Sequence, residues 1–331
     1  MKVVEFAGYG DPARVVDCVE TAEPGMPTGD EVLVEVLAAP INPADVLILE
    51  GRYPGPENLP AGGGIEGCGR VLAVGPDVTD LAPEDHVMLL GRANWVQRLR
   101  APRSAMTPVS KDIDPLQAAM MKANPASAIL MLRDYVDLEP GDWVIQNAAN
   151  SAVGRHVIAV ARKRGLKTVN VVRRESLIAE LTALGGDLVL VDGPDLAARV
   201  RDAIGESARL PLAIDAIAGN ACLRLADCLS EGGTVVNYGF LSGEPCMITP
   251  TQAIVRGITL KGFWLAGFFR RGDVDALRDI YRQIEEGLRD GSLKAPVEAT
   301  YPIERVKEAM AHAVQESRDG KILILPNGPL S

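Results

Sequence analysis

Aromatics make up only 4% of the 331 residues, there are three histidines, and none of the five cysteines forms a C-x-x-C pair. A structural zinc lobe would need a tight cysteine quartet and a disulfide scaffold would need paired, regularly spaced cysteines. Cys18, Cys68, Cys222, Cys228 and Cys246 are therefore expected to be reduced thiols. No apolar run approaches the length of a membrane span, which argues against a membrane partner. Acidic and basic residues are interspersed around a net charge of −10, with no basic block to track a phosphate backbone, so nucleic acid is not expected as a partner. The opening "MKVVEFAGYG" enters a strand pattern without an apolar h-region or an Arg-rich presequence, and a cytoplasmic location is the expectation.

The chain is long enough for two cores, and its 33 glycines and 23 prolines suggest many short elements. "EVLVEVLAAPIN" (31–42) and "GRVLAVGP" (69–76) alternate as half-buried strands, which makes the first hundred residues a β-rich module. From about residue 115 the rhythm changes. Strand-length apolar runs at 142–148, 167–173, 187–192, 211–217 and 233–239 alternate with helical stretches, the pattern of β-α-β crossovers on a buried parallel sheet. The fold class is thus α/β, with a doubly wound Rossmann-type domain. "DGKILILP" (319–326) has no helix after it and is returned to the first module, giving 1–118 with 293–331 for that module and 119–292 for the Rossmann domain.

The loop "QNAANSAVGRH" (146–156) stands where a dinucleotide fingerprint would carry glycines, yet its positions read Ala149, Asn150, Ser151, Ala152, Val153, Gly154. Only the last glycine survives. A strand before it, a helix with Val153, Val157 and Ala161 on one face after it, and Asn150 or Ser151 as cap still make an anion site at a helix amino end. An ordinary capped β-α turn is the alternative. At the end of the next strand stand Arg173 and Arg174, where an NAD enzyme has an acid; a guanidinium fork suits a 2′-phosphate and favours NADPH, while Glu175 is the competing ribose acid.

Together these features resemble the medium-chain dehydrogenase/reductase superfamily, in which a β-rich, GroES-like catalytic domain precedes a Rossmann domain. Within it the chain is similar to the zinc-independent trans-2-enoyl-thioester (enoyl-CoA or enoyl-ACP) reductases. The segments that carry this are "INPADVLILEGRYP" (41–54), "GGGIEGCGRVLAVG" (62–75), "QNAANSAVG" (146–154), "VNVVRR" (169–174), "NYG" (237–239) and "KGFWL" (261–265). Pro43 and Ile65 fill stretches where zinc-dependent members place a cysteine and a histidine, so no metal is expected. The resemblance implies hydride addition to the β-carbon of a conjugated C=C and protonation of the α-carbon, with Tyr53 as the donor to the enolate.

It further implies substrate contacts from Asn42 and Trp264, and cofactor contacts from Asn124, Asn150, Ser151, Ala152, Val153, Arg173, Arg174, Tyr238, Gly239, Phe263, Trp264, Leu265 and Lys321. Trp95 is assigned to structure, and core packing is the alternative for Phe263 and Trp264. Leu47 and Ile65 depart from the family pattern, which has Asn there, and this bears on thioester recognition. Quinone or α,β-unsaturated ketone reduction is the enzymatic alternative, and a non-catalytic NADPH-binding sensor the alternative from another class. The expected partner is a small-molecule or carrier-bound acyl substrate. "ITLKGFWLAGF" (258–268) is expected as an apolar edge strand, through which the resemblance implies a homodimer.

Overall fold

A computed structural model describes residues 1–272, 274–315 and 318–330. Two compact units emerge, Met1–Ala123 with Tyr281–Ser331, and Asn124–Ile280.

The second unit is built on six parallel strands in the order Leu188–Val191, Lys167–Val172, Trp143–Gln146, Leu212–Asp215, Thr234–Asn237, Thr259–Gly262. Numbered along the chain this is 3-2-1-4-5-6, the doubly wound Rossmann order. The interior strands are near-continuous apolar runs because helices cover both faces of such a sheet. Ile145, Val169, Ala213 and Val235 pack on one side of it, and Val144, Leu212, Ile214 and Val236 on the other. Strand order reverses between Trp143–Gln146 and Leu212–Asp215, so the crevice at their carboxyl ends is where a ligand is expected in an open α/β sheet.

One expectation about this sheet needs correction. The segment 258–268 is not a single strand: pairing stops at Gly262, and a helix runs Leu265–Arg271 from a cap at Trp264. Leu265 and Phe268 recur at helical spacing, Arg270 lies near the helix carboxyl end, and Gly272 closes the helix in the left-handed region. Apolar content alone does not separate these two states.

In the first unit, Glu31–Pro40 is the central strand. It pairs antiparallel with Gly67–Val74, Arg98–Pro102 and Lys321–Leu325, and the last of these runs parallel to Val297–Pro302. Val32, Val34 and Val36 alternate inward as a half-buried strand requires. Trp95 is the largest buried side chain of this core, and it explains the glycine run before Ile65. A Cβ at Gly63 would lie 2.3 Å from the Trp95 ring, and one at Gly64 2.8 Å from it. The indole occupies the volume those side chains would need, and its Nε1 donates to the Pro40 carbonyl at 3.2 Å.

Candidate active site

The second unit contributes a phosphate-type turn. The helix Ala152–Lys163 starts from Ser151, whose Oγ accepts from the Gly154 amide at 3.1 Å. The first amides of a helix have no carbonyl within reach, so those of Ala152 and Val153 are the donors this turn can offer an anion. Gly154 is required by packing: a Cβ there would sit 2.5 Å from the Ala149 carbonyl oxygen. Asn150 is held through its carbonyl, which accepts from Arg155 Nε at 3.1 Å. Gln146 Nε2 reaches both the Gly154 carbonyl (2.9 Å) and Asn170 Oδ1 (2.8 Å), tying the loop to the neighbouring strand.

Asp215, at the end of its strand, is the hub of the switch point. Its carboxylate accepts from Asn147 Nδ2 at 2.6 Å, from Asn237 Nδ2 at 2.8 Å, and from the amides of Ile217 and Ala218. Asn147 in turn accepts from the Ala216 amide at 2.8 Å. One buried acid thereby fixes the carboxyl ends of three strands. Beside it Tyr238 hydrogen-bonds Ser151, and burial pushes its phenol up. Gly239 lies against Ala216, whose oxygen would be 2.7 Å from an added Cβ.

The remaining expected cofactor residues of this unit have these surroundings. Arg173 is exposed just beyond the end of Lys167–Val172, and Arg174 precedes a short 3-10 turn. Asn124 opens the helix Asn124–Arg133 and is buried, yet among the described residues its Nδ2 has no partner. A buried amide donor left open asks for a bound acceptor. Phe263 is half-buried, edge-on to Tyr135, and the Arg270 guanidinium lies 4.6 Å from the Trp264 ring centre. Leu265 is the first residue of its helix. The Gly154 turn, its free helix amides and the open Asn124 amide fit a dinucleotide.

The first unit holds Tyr53 in the loop after the helix Pro43–Leu49, half-buried against the core. Arg92 steadies that loop by donating to the Pro54 carbonyl at 3.0 Å. An apolar cavity of about 200 Å³ lies beside it, lined among others by Phe6, Ile48, Leu49, Pro56 and Trp95.

Beneath is a network that the sequence did not reveal. Asn42 is buried with both ends of its amide engaged: Nδ2 donates to Glu66 at 2.7 Å and Oδ1 accepts from Lys321 Nζ at 2.5 Å. Asp45 accepts from the Asn42 and Ile65 amides at 2.8 and 3.0 Å, and Glu66 from the Ala123 amide at 2.9 Å. Lys122 Nζ donates to the carbonyls of Ile65 (2.5 Å) and Leu90 (2.6 Å). Burial raises Asp45 to about 7, with the nearby Glu66 charge adding to the effect, and raises Glu66 as well. Burial likewise lowers Lys122 and Lys321 to about 8. The N-P-x-D spacing of Asn42 and Asp45 was the available signal, an acid three residues after a helix cap.

Residues 28–104 match the alcohol dehydrogenase GroES-like domain, and 152–281 match the zinc-binding dehydrogenase domain. The mitochondrial enoyl-acyl-carrier-protein reductase of Rattus norvegicus is 35% identical over 317 residues, covering 94% of this chain and 84% of that protein. The chain belongs to the enoyl-acyl-carrier-protein reductase family. Among solved structures, the Etr1p/NADP/crotonyl-CoA complex superposes with a TM-score of 0.88 over 98% of this chain and 99% of that one, at 24% identity, a likeness of fold. A putative NADPH:quinone reductase from Bacillus thuringiensis reaches 0.87 at 26% identity, covering 98% of both chains.

By the resemblance, the zinc-ligand positions of zinc-dependent members fall at Pro43 and Ile65, whose side chains carry no donor atom. Pro43 opens a helix, and Ile65 is engaged through its backbone, so neither supplies a ligand. Among the described residues, the side chains grouped closely enough to hold an ion are Asp215, Cys222 and Cys246.

Proposed function

We propose that the protein reduces the C=C bond of a trans-2-enoyl thioester with NADPH, without zinc. The observation that carries this reading is the 35% identity, over 94% of the chain, to an enoyl-acyl-carrier-protein reductase. NADPH supplies the hydride for the β-carbon when bound. The amides of Ala152 and Val153, with Asn150 and Ser151 shaping the turn, bind the pyrophosphate; Arg173 and Arg174 pair with the 2′-phosphate; Asn124 meets the nicotinamide ribose. Tyr238, Gly239, Phe263, Trp264 and Leu265 line the path to the nicotinamide, and Trp264 also meets the acyl group. Tyr53 donates to the enolate oxygen or the α-carbon, a role a phenol held against an apolar wall can fill without a metal.

Asn42 acts in this proposal by positioning, since its amide is spent on Glu66 and Lys321. Lys321 serves the cofactor side by holding that network in place. The proposed limits are 1–118 with 293–331 for the catalytic domain and 119–292 for the cofactor domain. A homodimer joined along the Thr259–Gly262 edge and a cytoplasmic location complete the proposal; among the described residues the edge strand has one neighbour in its sheet, and no helix is long and apolar enough to cross a membrane.

Quinone or enone reduction is the second reading, favoured by the 26% identical quinone reductase structure and by Leu47 and Ile65 at the departing positions. NADPH oxidation followed against crotonyl-CoA, longer enoyl thioesters, enones and quinones tests both. Turnover of thioesters far above the other classes is expected. Activity confined to quinones would replace the thioester assignment, and NADPH binding without turnover of any class would leave a sensor.

A further inference from the structure

The Asp215 hub carries a second feature that the proposed reaction does not use. Cys222, on the helix Gly219–Cys228, and Cys246, on the segment after Tyr238, bring their sulfurs within 3.4 Å of each other. Cys246 Sγ also lies 3.8 Å from Asp215 Oδ2. A thiol relay therefore runs from Cys222 to Cys246 to the acid that holds Asn147 and Asn237. The two segments are already laid together, through Gly219 N to the Pro245 carbonyl at 3.1 Å and Ser242 N to the Ile217 carbonyl at 3.0 Å. Cys222 is buried and Cys246 only partly so, which makes Cys246 the first of the two that a soluble oxidant would reach.

We propose that Cys222 and Cys246 form an oxidative modification site, a dithiol that closes to a disulfide with peroxides and so loosens the cofactor side of the switch point. In the first step the Cys246 sulfur attacks a peroxide oxygen; the O–O bond breaks, a sulfenic acid forms and one water leaves. In the second, the Cys222 sulfur displaces the hydroxyl from Cys246, the S–S bond forms, and the Cys222 proton leaves with that hydroxyl as the second water. Two thiols are oxidised and one peroxide is reduced. The product lacks both S–H groups, so Asp215 Oδ2 loses its thiol neighbour while the Gly219 helix becomes bonded to the loop after Tyr238. Burial holds both thiols up in the resting protein, with the Asp215 charge acting in the same direction. Alkylation and the first peroxide step, which both use the thiolate, are thus slow at neutral pH and speed up as pH rises, and closure follows once Cys246 has been oxidised.

The effect on cofactor rests on the NADPH reading above; the chemistry at sulfur does not. The full-length protein, reduced and then exposed to hydrogen peroxide, is read by intact mass, by peptide mapping and by NADPH titration. Expected are a loss of 2 Da, a crosslinked peptide pair containing Cys222 and Cys246, and an NADPH Kd raised about fivefold or more, all reversed by dithiothreitol. Cys246→Ser and, separately, Cys222→Ser should abolish the crosslink, with thermal melting used to confirm that each variant is folded. Peroxide that leaves Cys246 as a sulfinic acid without the crosslink, or a crosslink with unchanged NADPH affinity, overturns the proposal. A reduced protein that binds no NADPH at all is a failure of the cofactor reading instead, and the crosslink is then scored by mass alone.

Discussion

Replacing Gly154 by alanine puts the phosphate-binding role of the 146–156 loop to a quantitative test. The added Cβ would stand 2.5 Å from the Ala149 oxygen and 2.7 Å from its Cα, both backbone atoms, whereas ordinary contact begins at 3.4 Å. The first turn of the helix must then retreat by roughly 0.9 Å, because nothing flexible is in the way. That movement stretches the 2.9 Å bond from Gln146 to the Gly154 carbonyl and the 3.1 Å Ser151 cap. Overpacking of this kind costs about 1–3 kcal/mol and a lost cap about 1 kcal/mol more.

At about 2–4 °C per kcal/mol for a unit of this size, the melting temperature of the cofactor unit should fall by roughly 5–15 °C. The amides of Ala152 and Val153 move with the turn. Losing one charge-assisted bond to the pyrophosphate, about 1.5–3 kcal/mol, raises the NADPH Kd by roughly ten- to a hundredfold. Calorimetric titration and scanning calorimetry of both proteins read the two effects separately. A lower melting temperature with an NADPH Kd unchanged within twofold would show that this turn is only a packed β-α corner, and the cofactor assignment of the loop would fall.

Three further outcomes are expected. Tyr53→Phe should lower kcat by about 10²–10⁴ with NADPH affinity nearly constant; a less stable but fully active variant would make Tyr53 structural. Arg173→Ala with Arg174→Ala should cost a few kcal/mol for NADPH, at about 1.5–3 kcal/mol per bond, and little for NADH, and equal affinities for the two cofactors in the parent protein would refute the 2′-phosphate role. Asp45, raised by burial to about 7 from an ordinary value near 3.8, binds its proton more tightly folded than unfolded, so stability falls as pH rises from about 4 to about 7. Asp45→Asn should remove this part of the slope in denaturant titrations across that window; parallel slopes for parent and variant would contradict it.

The Rossmann alternation was legible because each interior strand is an apolar run bounded by turn residues, and Lys321–Leu325 could be returned to the first sheet because no helix follows it. The break after Gly262 was not legible, since "FWLAGFF" has the same apolar content whether paired or helical. Candidate site residues on loops were proposed from their place in the strand-helix pattern and from motif resemblance. Those that brace them went unnamed: Asp215 and Gln146 are single polar residues at the ends of strands, and Lys321, named for the cofactor, meets Glu66 only because residues 255 positions apart are brought together by folding. Sequence spacing carries no trace of such a pair.

The placement of Lys321–Leu325 has a consequence for how the protein is made. This strand lies inside its sheet, between Val297–Pro302 and Glu31–Pro40, and Lys321 is the cation that faces buried Asp45 and Glu66. During synthesis Asn124–Ile280 leaves the ribosome whole and is free to fold, while the earlier-made half of the first unit still has a gap in its sheet and two carboxyl groups without that ammonium. Domains that fold as units cannot close before their last strand arrives. The amino-terminal segment is therefore the part whose sheet stays incomplete longest during translation, and a chain cut short before residue 321 would carry the whole second unit beside a sheet that lacks an inner strand.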